Sequence, residues 1–334
     1  MTSAPTPNCH GLIAGWRLSA EQPPVPLSPG AVDAWVAEGA PGTAWLHFDL
    51  LDARARHFIQ ALPGLPAAAR VALVEAEEAT RIEAAEGALF GCLPDTHYDA
   101  EEHAVPPIGL LHFALLPGFL ITARRHPLRG VHSALHALSA ASPAEALAAT
   151  LHASLVEFGR AIAALAQRLA RIEDGLLRPG AEQPRDALAA VRREALRLAR
   201  HVDPLSEAME DLAEAEDPAT GLPSTWAPLL REARRARGAA RALAALNERG
   251  RIAQDQAAAL AAEETNRRLL VLSVISAAML PASLVAGIFG MNVGGIPGVP
   301  VEGLEAGWGF AMAMGCIIAS VVGVLAALRL GRLL

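Results

Sequence analysis

The rhythm of apolar and polar positions changes along this 334-residue chain. Over residues 1–140, short apolar runs are broken by Gly and Pro. Residues 12–18, 44–49, 108–116 and 118–123 read as strands, and 31–38, 53–62 and 67–76 as helices. Such a mixture predicts an α/β layer, with a hairpin turn at Pro117-Gly118. From Ser142 the period becomes helical. Ser142-Pro143-Ala144-Glu145 is a helix-start signature and predicts a helix to about residue 177, stopped by Pro179-Gly180. A second helix is expected over 184–215, closed by Asp217-Pro218. A third starts near Thr225-Trp226-Ala227-Pro228 and meets no proline until Pro281.

The last rhythm is unbroken apolarity. Residues 269–289 are 21 uncharged positions, roughly 32 Å of helix, enough to cross the hydrocarbon core of a bilayer. Residues 307–328 form a second uncharged run. The third helix is expected to pass into the first run without a break, giving roughly 60 residues and about 90 Å of helix. Gly238 and Gly250 weaken it by about 1 kcal/mol each relative to Ala. A helix this long stands by packing on neighbours, which predicts a stalk shared among subunits.

The expected organisation is α+β with a membrane hairpin. An α/β domain (1–141) and a helical hairpin (142–224) lie in the cytoplasm, followed by a stalk helix (225–268). Two transmembrane helices (269–289 and 307–328) flank an external loop (290–306), and a short tail (329–334) closes the chain.

Flanking charge sets the orientation. Arg267 and Arg268 precede the first apolar run, and Arg329 and Arg332 follow the second. The loop between carries Glu302 and Glu305 and no basic residue. Positive-inside reasoning therefore places both termini in the cytoplasm and the loop outside the membrane. The first 29 residues lack the basic start and apolar run of a secretory leader. A chain 52 % hydrophobic, with mean hydropathy +0.30, suits partial immersion in lipid. Cys9, Cys92 and Cys316 are scattered and odd in number, which fits a reducing cytosol, and none has structural-zinc spacing. No nucleophile constellation, cofactor loop or pair of catalytic carboxylates emerges, so an enzyme is not expected and no resident cofactor is implied. Gly294-Gly295 follows no strand and is no nucleotide loop.

Within the first span, a 3.5-residue register collects Leu269, Ser273, Ser276, Leu280, Ser283, Gly287 and Gly290. This row of small and hydroxylated residues has two readings. One is tight packing between helices, because small residues let backbones approach. The other is a pore lining, with hydroxyls facing water and leucines forming apolar constrictions. Two spans enclose no path by themselves, so conduction would require several copies around one axis.

Gly290-Met291-Asn292 at the end of the first of two C-terminal spans, behind a long helix, resembles the CorA metal ion transporter superfamily. The continuation Val293-Gly294-Gly295-Ile296-Pro297 is more similar to the zinc transporter ZntB branch than to the magnesium branch, which usually has an aromatic after the Asn. Two N-terminal segments agree with that branch, Trp45-Leu46-His47-Phe48-Asp49 and Ile121-Thr122-Ala123-Arg124-Arg125-His126-Pro127-Leu128. The resemblance implies a homopentamer with a cytoplasmic funnel, a pore lined by the first span, and transport of Zn2+ or related divalent ions, with proton coupling proposed. Its partners would be copies of itself, membrane lipid and divalent ions, not nucleic acid.

Candidate sites follow, each with a plainer reading beside it. Gly290, Met291 and Asn292 form the expected entry filter, although Gly and Asn also suit a helix C-cap. Glu302 and Glu305 would form external acidic rings, or a solvated loop. Glu207, Glu210, Asp211, Glu214, Glu216 and Asp217 crowd one helix end, as cation-attracting groups or a solvated face. His97, Asp99, Glu101, Glu102 and His103 make the densest possible zinc group, and His132 and His136 stand at i and i+4. Neither span holds His, Asp or Glu, so a permeating ion would stay largely hydrated and no proton relay lies within the membrane. A magnesium channel and a non-conducting membrane anchor for a cytoplasmic sensor stand as alternatives.

Overall fold

The computed structural model describes residues 11–75, 79–98, 105–176, 185–214, 226–290 and 307–330. The chain divides into two compact units, Met1–Gln254 and Asp255–Leu334.

The first unit is built on a seven-stranded sheet. Its strands are β1 (Leu12–Leu18), β2 (Val25–Pro26), β3 (Thr43–Asp49), β4 (Arg81–Ala85), β5 (Ala88–Thr96), β6 (Ile108–Leu115) and β7 (Phe119–Arg124). They lie in the order β2-β1-β3-β7-β6-β5-β4. β3 and β7 run parallel at the centre and the other neighbours pair antiparallel. The hairpin expected at Pro117-Gly118 joins β6 to β7, closed by Leu116 N–H donating to the Phe119 carbonyl.

β4 and β5 are strands that the apolar pattern leaves unassigned. β5 is buried along its whole length, so it shows no alternation, and it carries Gly91 and Pro94. Gly91 has φ +146°, and a Cβ there would run into the Arg81 carbonyl across the β4–β5 pair. The connecting turn, Glu86-Gly87, has positive φ at both residues (51° and 74°), the two-residue geometry that follows strand twist. Glu in the first place hides a signal that Asn or Asp would have shown.

Helices cover both faces. α1 (Pro29–Ala37), α2 (Ala53–Ala61) and α3 (Ala67–Val74) lie on one, where Trp35, Leu46, Phe48, Ile59, Leu73, Phe90 and Ile121 share a core. Strand alternation sends Trp45, His47, Phe113, Leu120 and Thr122 to the other face. α4 (Arg129–His136), α5 (Pro143–Leu176) and α6 (Arg185–Glu214) belong there: α5 packs on β3, β5, β6 and β7, and α6 on β4 and β5. α6 continues through Pro204.

α7 (Ala227–Gly290) is a single helix of 64 residues, as the lack of a breaker before Pro281 predicts, and it passes through that proline. Its early turns bury Leu229, Ala236, Leu243 and Leu246, a heptad-like stripe. Arg249 pairs with Glu173 at 2.5 Å, and Arg192 of α6 bonds Gln254. α8 (Gly307–Leu330) is the last helix described.

Candidate functional site

The second unit carries the apolar part of α7. Among the described residues α7 alone is long and apolar enough to cross a membrane, with mean hydropathy 2.3 over its most apolar window. Met314–Arg329 of α8 is a shorter apolar stretch. Just before the apolar part begins, Arg268 pairs with Glu264 one turn earlier, which holds charge at that boundary.

Exposure along α7 is uneven. Val274, Ala277, Ala278, Pro281, Ala282 and Val285 are half-covered, and recur at the spacing of one helix face. On α8, Ile317, Ser320, Val321, Val324 and Leu328 form a similar half-covered stripe. At 100° per residue the α7 stripe lies on the side opposite the row Leu269, Ser273, Ser276, Leu280, Ser283 and Gly287. Every member of that row is exposed, Leu280 at 71 %. The Ser276 hydroxyl donates to the Leu272 carbonyl at 2.9 Å, which satisfies its proton and leaves the oxygen lone pairs outward. Gly290 is the last residue of α7. Met291, Asn292, Glu302 and Glu305 lie outside the described residues.

Among the described residues no three His, Cys, Asp or Glu side chains are placed to hold a metal ion. Asp99, Glu101, Glu102 and His103 lie outside the described residues, and His97 stacks on His126 with ring centroids 5.0 Å apart. Arg237 donates to Glu210 Oε1 at 2.5 Å and holds its carboxyl below the usual range, with Ser206 adding a further bond. The guanidinium offsets the negative charge that would draw a cation there. Glu216 and Asp217 lie outside the described residues. His132 and His136 do meet, rings 4.0 Å apart, and His136 Nδ1 donates to the His132 carbonyl at 2.9 Å. Burial, then His136 and Arg124, lower the His132 pKa.

Histidines gather elsewhere. A cavity of about 320 Å³ is lined by His97, His112, His126 and His201, from the segment after β5, β6, the segment after β7, and α6. His112 Nδ1 donates to the Ala72 carbonyl at 2.9 Å. Burial, followed by Arg200 and Arg197, lowers the His201 pKa. Sequence spacing cannot find this group, because the sheet order assembles it.

The two N-terminal segments of the family likeness turn out to be neighbours. β3 and β7 pair in parallel register, His47 opposite Thr122 and Asp49 opposite Arg124. Trp45 Nε1 donates to Thr122 Oγ1 at 2.8 Å, and the Thr122 hydroxyl meets His47 Nδ1 at 2.9 Å. Burial, with Arg124 nearby, lowers the His47 pKa to about 3, so it is a neutral core residue. These segments carry the fold's centre, not a metal site.

A family model described as CorA-like Mg2+ transporter protein matches residues 41–332. The chain belongs to that family. Membership makes it a membrane transporter of the divalent-cation class, not an enzyme. Among curated proteins no sequence matches the chain. Solved structures share the CorA-like fold. The full-length CmaX protein is 22 % identical, covering 98 % of this chain and 100 % of its own, with TM-score 0.75. The complete CorA magnesium transporter of Methanocaldococcus jannaschii is 13 % identical, covering 95 % and 96 %, with TM-score 0.72. The ZntB cytoplasmic domain of Vibrio parahaemolyticus is 16 % identical, covering 77 % and 98 %, with TM-score 0.56. The mixed α/β body, long helix and C-terminal helix thus recur across this CorA-like group.

Proposed function

We propose that this chain is one subunit of a homopentameric Zn2+ transporter. Its ion path follows Leu269, Ser273, Ser276, Leu280, Ser283 and Gly287, behind an entry filter of Gly290, Met291 and Asn292. The observation that carries this reading is the position of the row on α7, opposite the half-covered stripe and open along its length. Copies around an axis would turn serine oxygens and glycine backbone to the centre, with Leu269 and Leu280 as apolar constrictions. The apolar part of α7 offers only hydroxyls and carbonyls, weak ligands for Zn2+, so the ion passes hydrated and is not trapped. Zn2+ is favoured by Val293-Gly294-Gly295-Ile296-Pro297 after the filter. Asn292 supplies a ring of neutral carboxamide oxygens, and Glu302 and Glu305 raise the local cation concentration outside. Both termini lie in the cytoplasm, as the flanking arginines direct.

A metal-resolved flux assay in proteoliposomes, with and without a pH gradient, tests the reading. Zn2+ should cross, and Asn292→Ala should abolish flux while the oligomer stays assembled. Unchanged flux in that variant removes the filter assignment. The family description names Mg2+, and Mg2+ flux without Zn2+ flux would make the chain a magnesium channel. Passage of neither ion would leave the anchored-sensor reading.

A further inference from the structure

A cavity of about 610 Å³ in the first unit lies between the start of α5 and the start of α7. None of its lining residues belongs to the proposed ion path. Its walls include Arg231, Arg234 and Arg235 of α7, His152 and Glu145 of α5, and Glu232. Both acids are already engaged. Glu145 accepts the Ala141 N–H at 2.8 Å, while its own N–H donates to Ser142 Oγ at 3.3 Å, a reciprocal helix start. Glu232, only 6 % exposed, accepts Arg235 Nη1 at 2.5 Å on one oxygen and His152 Nδ1 at 3.2 Å on the other. Arg231 and Arg234 have no partner among the described residues.

Three arginines therefore stand within the first nine residues of α7, a 64-residue helix with no acid in its first turn. Cations at a helix start oppose the backbone dipole, each by about 0.3–1 kcal/mol. The cavity has the volume of a small-molecule site, and its uncommitted charge is positive. Guanidinium forks match the geometry of oxyanions and repel the metal cations that the transporter handles.

We infer that this cavity binds a soluble oxyanion of at least two negative charges, with phosphate-bearing molecules its first class. Arg231 and Arg234 contact the anion, and Arg235, held by Glu232, sets the floor. The site gives the cytoplasmic body a ligand distinct from the transported ion.

The test is calorimetric titration of the full-length protein in detergent, without divalent metal, using pyrophosphate, citrate and vesicles of anionic phospholipid as separate probes. Saturable binding of pyrophosphate is expected, with Kd raised about tenfold or more in R231Q/R234Q. R171Q/R193Q removes the same charge from exposed sites elsewhere on α5 and α6, and should leave Kd unchanged. Saturation by citrate as well as pyrophosphate supports the site and widens its class to carboxylates. Three results overturn it: no saturation by either small anion, equal affinity in R231Q/R234Q, or binding to the vesicles alone. Zn2+ flux in R231Q/R234Q reads the transport proposal independently, because neither arginine belongs to the ion path.

Discussion

Asp95 shows how much one residue can hold in this fold. It sits on β5 and accepts N–H bonds from Thr96 at 2.7 Å, Gly130 at 2.8 Å and Val131 at 3.0 Å, with the Ser154 hydroxyl adding a fourth. It thereby ties β5 to the first turn of α4 and to α5. Burial nevertheless pushes its pKa up from 3.8 to about 6, against the pull of those bonds. A raised folded pKa means that the native state keeps a proton which the unfolded chain has released. This contribution is fully present below 3.8 and is lost as pH rises through about 6. The stability difference between the wild-type protein and Asp95→Asn should therefore shrink across that window, by on the order of 3 kcal/mol at most. Unfolding midpoints on the acid and neutral sides check it, and parallel curves would refute it. Gly130 is fitted to the same carboxylate. A Cβ there would stand 2.7 Å from Asp95 Oδ1 and also press on the Ser154 hydroxyl. Gly130→Ala should cost about 1–3 kcal/mol, read from the same unfolding curves.

At the scale of elements, α7 is held to the first unit by burial more than by charge. Leu243 is fully buried, whereas the Arg249–Glu173 pair is partly exposed, at 54 % and 28 %. Exposed pairs contribute about 0–1 kcal/mol, and a truncated core leucine costs about 2–5 kcal/mol. Leu243→Ala should accordingly lower the unfolding midpoint well beyond Arg249→Ala. Equal effects would mean that the ion pairs carry the stalk. The helices were legible for a related reason: each long one has a capping signature, a breaker or an unbroken period at its ends. β5 was hidden because burial on both faces removes alternation, and β4 because it is short and ends in a Glu-Gly turn.

At the scale of the whole molecule, the orientation of α7 in the assembled protein decides whether a path exists. If the row faces a shared axis, Ser273→Cys or Leu280→Cys in a background lacking Cys9, Cys92 and Cys316 should oxidise to cross-linked dimers. Val274→Cys, on the half-covered stripe, should not. Gel mobility under oxidising conditions distinguishes them, and cross-linking of Val274→Cys alone would turn the row toward lipid. At this scale, residues close in sequence also find partners from other elements. Glu210, one of the acids clustered in sequence, meets Arg237 of another helix, and His97 stacks on His126. Spacing reveals which groups are near one another along a helix, but not which partner reaches them first.

Local physics was enough for what depends on neighbours in the chain. Hydropathy over 269–289 and 307–328 and the lack of a breaker before Pro281 determined a long helix with an apolar last third and a second apolar helix after it. Only tertiary structure decided what depends on groups far apart in sequence. It placed β3 beside β7 with His47 neutral between them, drew four histidines around one cavity, and lined another with three arginines whose neighbouring acids are already bonded. The physical reason is the same in each case. A side chain's charge and partners are set by burial and contact, and those follow from how strands order in the sheet and which helix faces meet.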